Sequence, residues 1–226
     1  VKVETKEKIE AEIQDWQYMK DLPPMWFGFV FTLEMKVYGD VYDLYSYENA
    51  AIHRKITVYY HEETKEYKVR VLIGLTEFCN IEYISPTRAG LEKILLERFE
   101  TTLQSLAKFN ADTVSCIVLE KKILEWDYVA KLPETIEGFK LFIKPDQPVK
   151  TINGSYILFD YCDFATDSNF IIYYNVFRDE FFGEAKIRKI PEVNYVFDSH
   201  ELIELEEKLD EHLLARLKEI RSRIDQ

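Results

Sequence analysis

The residues of this chain that could act as ligands, bases or nucleophiles are few and scattered. Four histidines, His53, His61, His200 and His212, form neither an HExxH nor a His-x-His pattern, and Cys79, Cys116 and Cys162 form no Cys-x-x-Cys pair, so the spacings that hold zinc are missing. The nearest thing to a ligand cluster, His61-Glu62-Glu63, falls at an expected hairpin tip, where charge is ordinary. There is no Gly-x-Ser-x-Gly elbow, and the three cysteines sit in or beside apolar, strand-like sequence where an inert thiol is expected. Seven glycines, spread singly, leave no Walker loop and no Gly-x-Gly-x-x-Gly to cradle a phosphate. Asp160/Asp163 and Glu62/Glu63 could do paired-carboxylate acid–base work, but a chain with 41 acidic residues makes such pairs by composition alone. These absences favour a non-catalytic role, with no cofactor and no metal.

What positions these residues is a sequence written twice. Tyr42, Leu44, Tyr47, Ala51, Tyr59 and Tyr60 recur at constant spacing as Tyr156, Leu158, Tyr161, Ala165, Tyr173 and Tyr174. Upstream, Trp16, Tyr18, Leu22, Pro23, Gly28 and Phe29 recur as Trp126, Tyr128, Leu132, Pro133, Gly138 and Phe139, at a slightly shorter offset. The difference requires an insertion between Phe139 and Tyr156, where Lys144-Pro145-Asp146-Gln147-Pro148 has loop composition. Downstream, Asn80, Ser85, Leu91, Leu95, Glu97 and Leu103 pair with Asn194, Ser199, Leu205, Leu209, Glu211 and Leu217. A repeat of roughly 110 residues is too long for a solenoid unit and has the length of a small domain. The expectation is a tandem duplication, residues 1–110 and 111–226, packed as a pseudo-dimer. No histidine is kept in both copies, which counts against duplicated catalysis.

Composition sets further bounds. With 47% hydrophobic and 31% charged residues the chain reads as folded and soluble, and no apolar run approaches the roughly 18 residues of a membrane span. A net charge of −12 argues against nucleic-acid binding, which depends on neutralising phosphates. An odd number of widely spaced cysteines suits reduced thiols, and no secretory leader opens the sequence, so a cytoplasmic location is expected.

Hydrophobic spacing predicts a helix over residues 4–20, then strands over 26–37, 41–47, 55–62, 66–75 and a short one over 78–84. Ser85 as N-cap, with Pro86 at the first helical position, predicts a long helix to about Lys108 whose stripe is Leu91, Ile94, Leu95, Phe99, Leu103 and Leu106. Residues 113–120 look like a strand, although the matching segment of the first copy looks helical, and both readings stay open; residues 121–131 repeat the Trp-bearing helix in shorter form. The second half predicts strands over 139–144, 156–163, 169–176, 180–190 and 193–197, then a helix capped by Asp198-Ser199. In that helix Leu205, Leu209, Leu213, Leu217 and Ile220 face the sheet. The fold class is therefore α+β: twice over, an antiparallel sheet of four or five strands with a short N-terminal helix and a long C-terminal helix on one face.

The order strand, strand, short strand, helix over residues 170–220, with Ile190-Pro191-Glu192-Val193 before the third strand, resembles the core of HicB-type antitoxin domains. The glycine-aspartate-threonine turn of that family is absent, and the resemblance implies topology alone. Both faces of the strands carry apolar or aromatic residues, so one helix cannot cover the sheet, and the other repeat is the economical second cover. Two functions follow as expectations. One is a non-catalytic binding protein, antitoxin-, immunity- or chaperone-like, whose acidic surface suits a basic protein partner. The other is a small-molecule site or enzyme between the repeats, lined by Trp26, Tyr45, Tyr59, Phe159 and Tyr173.

Overall fold

A computed structural model of the chain describes residues 1–151 and 154–226. It is α+β, with two antiparallel sheets of six and seven strands, an N-terminal helix and a long C-terminal helix. Two compact units divide it, Val1–Lys108 and Phe109–Gln226.

The first unit opens with α1 (Val3–Gln14) and α2 (Gln17–Lys20), where the apolar spacing predicts one continuous helix. The break falls at Trp16, which is extended (φ −83°, ψ 94°) and buried. Its indole N–H donates to Glu92 at 2.7 Å, so a tertiary anchor overrides the helical spacing. The sheet is a meander of β1 (Met25–Trp26), β2 (Phe29–Tyr38), β3 (Val41–Asn49), β4 (Arg54–His61), β5 (Glu66–Ile73) and β6 (Thr76–Ser85), each paired with the next. The apolar run over 26–37 is thus not a single strand: Phe27 (φ 48°) and Gly28 (φ 82°) close a two-residue hairpin that pairs Trp26 with Phe29. The strand predicted over 78–84 is longer, ten residues, because β6 follows β5 along most of its length.

Helix α3 (Arg88–Ala107) buries Leu91, Leu95, Phe99, Leu103 and Leu106, the stripe read from spacing without Ile94. Its cap is Thr87, whose hydroxyl accepts from Gly90 N–H at 3.1 Å, and not Ser85. The Ser85 side chain is taken up by the Thr87 backbone, and a Cβ at residue 90 would lie 2.3 Å from its oxygen, so this start requires Gly90.

In the second unit the open choice over 113–120 resolves as helix: a 3-10 turn, Ala111–Thr113, then α4 (Cys116–Glu120). The helical form closes its own backbone bonds, Lys121 N to Ile117 O at 3.0 Å, and still turns Val118 into the core. Residues 121–131 form two 3-10 turns, Ile123–Glu125 and Asp127–Lys131, on either side of Trp126. The strands are β7 (Thr135–Ile136), β8 (Phe139–Ile143), β9 (Val149–Lys150), β10 (Ser155–Asp163), β11 (Ser168–Asn175), β12 (Glu180–Ile187) and β13 (Ile190–Ser199). Their order is β13-β12-β11-β10-β8-β7, with β9 also on β10. The two sheets exceed the four or five strands expected because β1, β7 and β9 are two-residue arms. Part of the expected insertion, residues 152 and 153, lies outside the described residues.

The single strand predicted over 180–190 ends at Ile187, since Arg188 (φ 50°) and Lys189 (φ 72°) make a two-residue turn. Helix α5 (Leu202–Ile224) buries Leu205, Leu209, Leu213, Leu217, Ile220 and Ile224. Glu201 precedes it without a side-chain cap bond, so Asp198-Ser199 is not the cap; Glu204 reaches back instead to the His200 N–H at 3.3 Å. No described helix is long and apolar enough to cross a membrane.

Candidate interaction groove

The five aromatics singled out in the sequence occupy different places. Trp26 and Tyr45 lie on the α3 side of the first sheet, brought together around Phe99, with ring centroids 6.1 and 6.4 Å from it. Phe159 is buried in the core of the second unit, 5.9 Å from Tyr161. Tyr59 and Tyr173 sit on the opposite faces of their sheets by strand alternation. The Arg70 guanidinium covers Tyr59 at 5.3 Å, and Tyr173 stacks on Phe182 at 5.0 Å. Of the five, Trp26 alone is neither buried nor fully wrapped by its own unit.

Trp26 lines an open groove of about 390 Å³ with Tyr18, Leu22, Pro23 and Leu96, and with Gln17, Asp21 and Glu92 on its polar edge. Each wall follows from local structure. Leu22 and Pro23 come from the chain that leaves α2, and the Pro23 carbonyl is pinned by the Tyr47 hydroxyl at 2.6 Å. The Phe27-Gly28 hairpin turns Trp26 back, with Phe27 stacked beside it at 6.1 Å and an interplanar angle of 14°. Glu92 is held by the Trp16 indole, and one turn later α3 presents Leu96, 68% exposed. Phe27, 39% exposed, extends the apolar surface beside Trp26, while Met25 alternates to the other face of the hairpin. Burial dominates Tyr18, pushing its phenol well above the usual range and keeping it a neutral donor.

The second unit carries like bonds around Trp126, with other residues beside them. Trp126 donates to Glu206 at 2.7 Å and Tyr161 to the Pro133 carbonyl at 2.7 Å, matching the Trp16–Glu92 and Tyr47–Pro23 bonds. Where the sequence pairing sets Leu96, this unit has Asp210; where it sets Asp21, it has Lys131. Asp210 accepts from the Tyr128 hydroxyl at 2.8 Å and pairs with Lys131 at 3.8 Å, and Lys131 also lies 4.9 Å over the Tyr128 ring. The hairpin tip is Thr135, Ile136 and Glu137 in place of Met25, Trp26 and Phe27. Arg221 clasps it, donating to the Glu137 carbonyl at 2.9 Å and covering Phe139 at 4.6 Å. The position paired with Arg221 in the first half is Ala107, which cannot clasp anything.

A larger hollow of about 670 Å³ lies between α1, the β4–β5 hairpin and the start of α3. Several of its polar groups are bonded to one another: Lys8 pairs with Glu12, the Thr5 hydroxyl and the Tyr67 hydroxyl donate to Glu62 and Glu12, and the Arg88 side chain donates to the Glu12 carbonyl. It reads as the joint that docks α1 on the sheet. Among the described residues no group of three or more His, Cys, Asp or Glu is assembled that could hold a metal ion. The three thiols are unpaired; burial pushes the Cys162 thiol far up, Asp160 adds to that, and the thiol stays protonated.

Sequence reasoning named Trp26 and missed Leu96, Asp21 and the hairpin tip. The available signal was the disagreement of the two halves at positions 21/131, 26/136, 27/137 and 96/210, amid agreement on either side. Compared with protein-family models, curated proteins and solved structures, the chain matches none. The chemistry of the groove therefore rests on its own residues.

Proposed function

We propose that this chain is a non-catalytic cytosolic binding protein: a tandem duplication whose first half carries an open apolar groove for another protein and whose second half keeps the same scaffold closed. The duplication is supported by the like order of strands and helices in the two units and by the recurring Trp-to-Glu and Tyr-to-proline-carbonyl bonds. The unpaired thiols suit a reducing compartment.

The observation that carries the binding reading is the exposure of Leu96 and Phe27 beside Trp26, where the second half has Asp210 and Glu137 beside Ile136. Folding gives no reason for this difference. A leucine 68% exposed gains little of the roughly 1.5–3 kcal/mol that full burial of such a side chain contributes. The exposed Lys131–Asp210 pair of the second half contributes about 1 kcal/mol or less. The apolar version pays off only when something covers it, and clustered exposed apolar residues mark such surfaces.

The test is to write the second half's bridge into the first, as Asp21→Lys with Leu96→Asp. The double variant is expected to fold as the wild type does and to lose, by tenfold or more in an order-of-magnitude sense, the protein that wild type retains from an extract of its source. Equal retention by both would remove the groove from the function.

A further inference from the structure

The groove has one sign of charge. Asp21 and Glu92 are its ionisable lining groups besides Tyr18, and no Lys or Arg lines it. Each carboxylate spends one oxygen internally, Asp21 Oδ1 on the Gln17 amide at 2.8 Å and Glu92 Oε2 on the Trp16 indole at 2.7 Å. The second oxygen of each is available to a donor, and charge-assisted donors make the stronger bonds to carboxylates. Trp26, Leu22, Pro23 and Leu96 share the lining with them. Building on the groove as binding site, we propose that its occupant is a short segment of a partner protein in which an apolar side chain is flanked by Lys or Arg. The apolar side chain seats against Trp26 and Leu96, and the cations reach Asp21 and Glu92.

Two alternatives fit less well. A second copy of this chain would bring the same two carboxylates to a self-complementary interface on a molecule of net charge −12, setting like charges against each other. An enclosed small molecule would leave Phe27 and most of Leu96 in water, since the groove is open and Phe27 stacks on Trp26 at its edge.

The experiment titrates the full chain with dye-labelled twelve-residue peptides that share one leucine pattern and carry Lys, Glu or Gln at the other positions. Three proteins are compared: wild type, Asp21→Asn with Glu92→Gln, and Leu96→Ser. The Lys peptide should bind wild type about tenfold or more tightly than the Glu peptide, and that advantage should shrink severalfold from about 50 to 500 mM salt. It should shrink equally in the Asn/Gln variant, while Leu96→Ser weakens all three peptides. If the Lys and Glu peptides bind alike and both are weakened by Leu96→Ser, the groove stands and the charge assignment falls. If the Lys peptide binds all three proteins equally, it sits elsewhere on an acidic surface and both readings fall. Absence of binding by any peptide overturns the proposal, as does wild-type self-association that Leu96→Ser dissolves, which makes the occupant a second copy.

Discussion

Replacing Asp160 with Asn should leave stability nearly unchanged at about pH 4 and raise it by several kcal/mol at about pH 8. Asp160 lies in β10 on the face turned away from α5 and is fully buried. Burial pushes its carboxyl up to about 7, and the Cys162 thiol, the Asn169 amide and the charge of Lys186 offset only part of that. Asn169 Nδ2 donates to one Asp160 oxygen at 3.0 Å; the other oxygen, Oδ2, and Asn169 Oδ1 are buried acceptors with no hydrogen-bond partner. A proton on Oδ2 turns one of these acceptors into a donor. The folded pKa lies above the ordinary carboxyl value of 3.8, so the folded chain holds the proton more tightly than the unfolded one. The contribution is present in full below roughly pH 4 and is lost as pH rises through about 7, a change on the order of 4 kcal/mol. Asn supplies the donor at every pH and never ionises. Denaturant titrations of both proteins across that range should diverge with rising pH and run parallel above about 7 to 8. A gap that does not change with pH would mean that the folded and unfolded chains hold this proton equally and that burial does not raise the Asp160 carboxyl, whereas a gap still widening above about pH 8 would mean that Asp160 stays protonated in the folded chain.

The second large effect concerns Phe99. It is 1% exposed, and its ring lies 6.1 Å from Trp26, 6.4 Å from Tyr45 and 5.7 Å from Tyr47, so it is the side chain of α3 on which the aromatic cluster of the first unit leans. Phe99→Ala should cost roughly 3–5 kcal/mol, since rigid rings around it cannot collapse into the space. It should also loosen Trp26, read as a red shift of tryptophan emission under folding conditions. A cost below about 1 kcal/mol would show that the cluster repacks freely and that Trp26 is not held from beneath.

Much of this fold is legible in the sequence because its strongest patterns are the ones tertiary packing leaves alone. The stripe from Leu91 to Leu106 and that from Leu205 to Ile220 survive because a long helix on a sheet face has one way to bury its leucines. The misreadings share a physical cause, a local choice settled by a distant partner or by an unusual backbone. Trp16 breaks a well-spaced helix because Glu92 holds its indole. Phe27, Glu137, Arg188 and Lys189 take left-handed conformations at turns although none of them is a glycine, so the hairpins around them hide inside longer apolar or charged runs. Thr87 caps α3 because the Ser85 hydroxyl is already engaged. In the groove, Trp26 is visible as an aromatic, but Leu96 looks like an ordinary exposed helix residue until Asp210 is set beside it.

The central claim is that one half of this chain binds at a place the other half keeps closed. Hydrogen–deuterium exchange on the chain with its captured partner, against the chain alone, tests this most directly. New protection should cover the backbone from Gln17 to Phe27 and the turn of α3 from Glu92 to Leu96, with none over residues 127–137 or 206–210. Protection confined to the second unit, or spread equally over both, would contradict it.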